Sequence, residues 1–178
     1  TYVNDTPVYA NFLLKDIERI EVLRGPQGTL YGSGSLGGTV RYIMNAPKLG
    51  DFQASVSGTA SQVDGSSSVG YGLDGMLNVP LGETAALRIT GTRLDYPGLT
   101  DYVNLYRLDA NGLPVAPNGV LDDAAQYYVK KDADTAEIWY GRAALLWRPT
   151  DAVDLTLSYT IQSDEIGGRR QVTRGFDG

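Results

Sequence analysis

The chain has 178 residues, with 15 Lys and Arg against 21 Asp and Glu for a formal net charge of −6, and contains neither Cys nor His. The acidic balance, without a basic cluster, removes the electrostatic footprint of a nucleic-acid binder. Lacking Cys and His, the chain can hold no disulfide, thiolate nucleophile, imidazole base, ordinary zinc site or Ser-His-Asp triad. No run approaches the roughly 18 to 20 apolar residues of a spanning helix, so any membrane crossing must be made by β-structure.

In chain order, Val3, Val8, Tyr9 and Phe12 stand around Asn4-Asp5-Thr6-Pro7, a pattern that predicts two short strands joined by a turn. From Asp16, the residues Ile17, Ile20, Val22 and Leu23 interleave with Glu18, Arg19, Glu21 and Arg24, which suits a strand with one charged face. Gly25-Pro26 ends it, because Pro26 has no amide hydrogen and a fixed φ, while Gly25 can take angles closed to other residues. Gly28, Gly32, Gly34, Gly37 and Gly38 then allow close backbone approach before Thr39-Val40-Arg41-Tyr42-Ile43 resumes strand composition. The string from Gly32 to Gly37 matches the G-x-G-x-x-G dinucleotide fingerprint, but β-branched and aromatic residues follow it where that motif needs a helix to hold the pyrophosphate.

The segment from Asp16 to Ile43 resembles the end of the plug domain of TonB-dependent outer-membrane receptors. The likeness is carried by Asp16-Ile17-x-Arg19-Ile20-Glu21-Val22-Leu23-Arg24-Gly25-Pro26, by Leu30-Tyr31-Gly32, and by Gly37-Gly38-Thr39-Val40 with Ile43. It covers about the first 48 residues. The resemblance implies that residues 1–48 are the C-terminal part of a small mixed α/β plug lodged in a barrel. It also implies that Arg19, Glu21, Arg24, Gly25, Pro26, Tyr31, Gly32, Gly37 and Gly38 form the plug signature and its anchoring to the barrel. Arg19, Glu21 and Arg24 are expected to bond to wall groups such as Asp74, Arg88 or Arg142, the alternative being that they are solvated strand charges.

After Asn45-Ala46-Pro47-Lys48-Leu49-Gly50, which reads as a linker, strict alternation begins. Phe52, Ala54, Val56, Gly58 and Ala60 oppose Gln53, Ser55, Ser57, Thr59 and Ser61; Val69, Tyr71, Leu73, Leu77 and Val79 oppose Gly70, Gly72, Asp74 and Asn78; Ala85, Leu87, Ile89 and Gly91 oppose Arg88, Thr90 and Thr92. Residues 96–134, rich in Asp, Gly, Pro and Tyr, read as a long external loop. Its aspartates Asp101, Asp109, Asp122, Asp123, Asp132 and Asp134 are turn formers or, with Tyr102, Tyr106, Tyr127 and Tyr128, ligand contacts; Asp109-Ala110-Asn111-Gly112 reads as a turn, and no substrate residue is assigned. Two more strands follow, Trp139 to Trp147 and Val153 to Gln162, joined at Pro149-Thr150-Asp151-Ala152.

Alternation alone fits a soluble sandwich equally well. The short connections at 64–68, 80–83 and 149–152 beside one long one, and polar faces built from Ser, Thr, Gly and Asn rather than Lys and Glu, suit a transmembrane barrel better. Trp139 and Trp147 share a face eight residues apart, about 20 Å along the membrane normal for a strand tilted near 40°, close to the spacing of aromatic girdles. By the same parity Arg93 and Asp95 point toward lipid, which requires either an interfacial position or a bulge.

The expected architecture is therefore mainly β: a partial plug at 1–48, then about five antiparallel strands at 49–178 of an incomplete transmembrane barrel, 22-stranded in the family, with a sixth strand beginning past Gly175. The termini are expected to be those of a fragment, so a missing targeting segment carries no information. The resemblance implies a bacterial outer-membrane receptor, not an enzyme and without a cofactor, for energy-coupled uptake of a scarce nutrient such as a ferric siderophore. Its partners would be the TonB–ExbB–ExbD energising complex, acting through a TonB box outside this sequence, the outer-membrane lipid and a small iron chelate. The competing readings are a porin or adhesin, which leaves Asp16 to Met44 unexplained, and a soluble α+β binding domain.

Overall fold

A computed structural model describes residues 1–4, 6–9, 12–25, 38–116 and 127–168. Pro26, Tyr31, Gly32 and Gly37 lie outside them, as does the sixth strand expected past Gly175. The described residues form strands and connections without a helix. In order the strands are β1 (Tyr2–Val3), β2 (Thr6–Pro7), β3 (Ile17–Arg24), β4 (Gly38–Met44), β5 (Gln53–Gln62), β6 (Val69–Pro80), β7 (Ala85–Tyr96), β8 (Tyr102–Tyr106), β9 (Tyr127–Lys130), β10 (Ala136–Thr150) and β11 (Val153–Ile166).

They assemble into three sheets. The first has the order β2-β1-β4-β3: β1 and β2 pair antiparallel around the turn at Asn4, β4 runs parallel to β1, and β3 pairs antiparallel with β4 from Ile17↔Met44 to Arg24↔Gly38. Pro7 is tolerated because β2 is an edge strand that need not donate outward. Gly25 has φ +84°, the left-handed conformation that lets the chain leave β3. Gly38 has φ +137°, and a Cβ there would stand 2.6 Å from the carbonyl oxygen of Leu23, so the start of β4 admits glycine alone without backbone movement.

The second sheet has the order β11-β10-β7-β6-β5. Thr84 O accepts from Arg148 N at 2.7 Å, and further along β7 the Arg93 guanidinium lies over the Trp139 ring; the numbering runs oppositely on the two strands, so β7 and β10 are antiparallel. The third sheet, β8-β9, is an antiparallel ribbon inside the segment expected to be loop, with Tyr106 and Tyr127 paired in register and their ring centroids 5.0 Å apart. The expectation of an unpaired connection at 96–134 is thus corrected in part. The Tyr-Val-Asn-Leu-Tyr and Tyr-Tyr-Val-Lys runs are too short to show periodicity, and their pairing is non-local. The predicted turn at Asp109 is present: Asp109 Oδ1 accepts from Asn111 N and Leu113 N at 2.8 and 2.9 Å.

By compactness the described chain divides into two units. One comprises Thr1–Ser57, Leu73–Arg93 and Trp139–Ser163, the other Gly58–Gly72, Leu94–Ile138 and Asp164–Gly178. In the first unit the usual arrangement of a soluble sheet is inverted. The apolar positions are open, with Ile89 43% and Leu157 73% exposed, while polar Asn78 is fully buried and Arg88 and Arg142 are 5% exposed. The covering layer is the first sheet together with the residues flanking it. It covers the middle strands β6, β7 and β10, whereas the edge strands β5 and β11 remain exposed on nearly every residue.

Candidate functional site

Burial of the polar face is explained by the bonds that the residues flanking the first sheet make to it. Pairing of Ile17 with Met44 brings Asp16 and Asn45, which bracket β3 and β4, side by side. Asn45 donates its backbone N to Asp16 O at 2.9 Å and its Nδ2 to Asp16 Oδ1 at 2.8 Å. Asp16 sits at φ +59°, a left-handed conformation that aspartate tolerates better than most residues, and it faces the wall in that strained posture.

Its carboxylate receives the Arg88 guanidinium in bidentate fashion, Nε at 2.7 Å and Nη2 at 2.5 Å. Arg142 Nη1 lies 3.7 Å from Asp16 Oδ2 and donates to Asn45 O at 3.1 Å. The three charged side chains are almost fully enclosed, with 9%, 5% and 4% exposure for Asp16, Arg88 and Arg142. Fork-to-fork bonding of this kind fixes orientation as well as adding energy. A buried carboxylate between two guanidiniums is poorly replaceable, because removing it leaves two like charges in a desolvated site.

Further fastenings surround this centre. Lys15 Nζ is 2.8 Å from Asp74 Oδ1, which also accepts from Thr92 Oγ1 at 2.7 Å. Asn78 on β6 clamps the linker from both sides: its Oδ1 accepts from Lys48 N at 2.9 Å, and its Nδ2 donates to Lys48 O at 3.0 Å and Asp51 O at 2.6 Å. Toward β11, Leu13 N donates to Gln162 Oε1 at 2.7 Å. A cavity of about 260 Å³ opens beside that bond, between Val8 and Phe12 on one side and Tyr140, Arg142 and Thr160 on the other. Bonds to four different strands fasten the segment to the wall. No nucleophile or acid-base pair is assembled by these contacts, since each carboxylate is occupied by a cation.

Of the residues expected to do the anchoring, Arg19 and Glu21 bond to charged neighbours of the first sheet. Arg19 donates to Glu21 at 2.9 Å and to Glu18 at 2.8 Å, and Glu21 accepts from Arg41 Nη1 at 2.8 Å, opposite which it stands in the β3/β4 register. These pairs knit the first sheet internally. Arg24 closes β3 opposite Gly38. The wall groups expected as partners, Asp74, Arg88 and Arg142, do belong to the interface, but Lys15, Asp16 and Asn45 hold them. A readable signal was present: an uninterrupted Lys15-Asp16 pair lies where the chain enters the charged strand, and an Asn opens the linker that leaves it.

Comparison with known proteins bears on the same residues. The TonB-dependent Receptor Plug Domain model matches residues 2–39. The metal-pseudopaline receptor CntO of Pseudomonas aeruginosa is 38% identical over 94 residues, which is 52% of this chain and 12% of that receptor. The probable TonB-dependent receptor BfrD of Bordetella pertussis is 34% identical over 98 residues, again 52% of this chain and 12% of the relative. The chain thus spans a small part of the length of the curated relatives it matches. By the plug match and these relatives, the chain is similar to TonB-dependent receptors over about half of its length.

Proposed function

We propose that the protein of which this chain forms part is an outer-membrane receptor that takes up a scarce metal chelate of the ferric-siderophore kind by TonB-dependent, energy-coupled transport. The observation that carries the reading is the inversion of the five-stranded sheet. Apolar Ile89, Leu145, Leu155 and Leu157 face outward where a bilayer would cover them, and Arg88, Arg142 and Asn78 face a plug segment bonded to them. A barrel wide enough to pass a chelate would leave an open hole, and a lodged segment that moves only when ligand is bound solves that problem. The Pseudomonas relative, a metal-pseudopaline receptor, supports the substrate class.

In this reading residues 1–48 are the C-terminal portion of the plug and residues 49–178 the first barrel strands, with the segment at 96–134 facing outward. The open edges of β5 and β11 are paired in the whole receptor by further strands, since hydrocarbon satisfies no bare backbone groups. Energy reaches the plug from the TonB–ExbB–ExbD complex. The test is uptake of a radiolabelled ferric chelate by cells expressing the whole receptor, with and without collapse of the proton gradient. Loss of uptake on collapse is the expected result, whereas uptake that persists assigns the protein to the porins, and no uptake of any metal chelate overturns the substrate class.

A further inference from the structure

The ribbon β8-β9 raises a physical question, because a two-stranded ribbon standing alone is marginal at best in water. Its base is where the answer lies. Immediately after β9 the chain turns through residues 131–135, and three consecutive residues there, Asp132, Ala133 and Asp134, are 8%, 1% and 1% exposed although two are charged. Asp132 adopts φ +49°. Its Oδ2 accepts from Ser67 N at 3.0 Å, from Ser67 Oγ in a short bond, and from Ser68 Oγ at 3.3 Å, so it is tied to the turn between β5 and β6. Its own backbone N donates to Asp101 Oδ1 at 2.9 Å. Asp134 Oδ1 accepts from Leu99 N at 2.6 Å and Thr100 N at 2.7 Å, and Ala133 N donates to Thr100 O at 2.8 Å.

Glycines complete the seat. A Cβ on Gly98 would lie 2.3 Å from the carbonyl oxygen of Asp132, one on Gly167 2.7 Å from that of Ala133, and one on Gly168 3.0 Å from the same atom. Backbone of residues 132–133 thus runs against bare backbone on two sides. The end of β11 adds a bond from Gly167 N to Thr135 O at 2.8 Å.

We infer that residues 132–134 are a clasp that fastens the base of the β8-β9 ribbon to the turn at 66–68, to residues 98–101 and to the end of β11, so that the ribbon is presented as a fixed element. A ribbon held in this way does not have to be ordered when it meets another molecule, which removes part of the entropic cost of contact. The inference stands on the geometry of this unit and does not depend on what the receptor transports.

Amide hydrogen exchange on the whole receptor in its membrane tests it, comparing the unsubstituted protein with Asp132→Ala, which removes the carboxylate, and Gly98→Ala, which keeps the carboxylate but wedges the seat open. With the clasp broken, amides of Tyr102, Leu105, Tyr106 and Tyr127–Lys130 exchange roughly tenfold faster or more, while those of β6, β7 and β10 keep their rates. Ribbon amides unaffected in both variants while those of Ser67, Leu99 and Thr100 accelerate, or a ribbon that in the unsubstituted receptor already exchanges like free peptide, overturns the inference. If Asp132→Ala also loosens β6 and β7, Gly98→Ala and Ser67→Ala decide, because the first leaves every bond to the turn at 66–68 in place and the second removes only one of them.

Discussion

At the scale of single residues the most consequential group is Asp16, which satisfies two buried arginines from a strained backbone position. Its replacement by Ala is expected to cost about 3 to 5 kcal/mol of attachment, since it strands Arg88 and Arg142 in a dry site, whereas Arg19→Ala, which breaks only solvent-exposed pairs on β3, is expected to change attachment little. Protease sensitivity of residues 1–48 in the whole receptor reads both, and equal sensitivity of the two variants refutes the assignment. Asp132 and Asp134 make a second residue-scale prediction. Hydrogen bonds from Ser67 to Asp132, and from the backbone of Thr100 to Asp134, hold both carboxyls below the usual carboxylate range. A folded pKa below the unfolded value contributes stability that is complete above the unfolded value, near 4, and fades as pH falls through the folded one. Exchange of the ribbon amides, corrected for intrinsic chemistry, is therefore expected to be flat from about pH 7 to about pH 5 and to rise only below about pH 4. A rise near pH 6 contradicts this.

Arg93 shows how an awkward residue is accommodated. Parity puts it on the apolar face of β7, and there its guanidinium lies 4.5 Å from the centre of the Trp139 ring, on a strand where both tryptophans are 49% exposed. In the proposed membrane reading this is an aromatic girdle position, where an arginine costs little, so no bulge is needed to turn it inward.

At the scale of elements, the long strands test the membrane reading directly. Ile89→Lys in the centre of β7 is expected to destabilise the inserted receptor by about 2 to 4 kcal/mol, while Thr92→Ser on the covered face is expected to change it little. The fraction of receptor that stays folded in denaturant titrations in lipid measures the difference, and indifference to Ile89→Lys removes the lipid from that face. In the first sheet, Gly38→Ala sets a Cβ against Leu23 O in a backbone conformation unfavourable to alanine, so β4 must shift from β3 and loosen the plug segment. The charged face foreseen on β3 exists, but its charges neutralise one another within the sheet because Glu21 and Arg41 are cross-strand neighbours, a pairing that depends on register and not on the strand's own sequence.

On the scale of the whole molecule, the five-stranded sheet is open at β5 and β11, and the prediction is that the whole receptor, not this chain alone, gives a heat-modifiable band on electrophoresis. The strands were legible in the sequence because alternation with period two is local: the runs beginning near Phe52, Val69, Ala85, Trp139 and Val153 lie within a residue or a few of the observed β5, β6, β7, β10 and β11. The plug signature from Asp16 was legible for the same reason, as a contiguous string.

Alternation is silent about which face is covered, for a sandwich and a barrel read alike. Only the tertiary structure decided that the polar face of β6, β7 and β10 is the buried one, and that Asp16 holds the two arginines on it. Asp16 and Arg88 are 72 residues apart, and the clasp joins Ser67 to Asp132 across 65. Such partners are fixed by the folding of the chain as a whole, which a local pattern cannot encode. The amino-acid order thus determined the strands, their two-faced chemistry and the contiguous signature from Asp16, while the docking of the N-terminal segment on the sheet decided which charges meet.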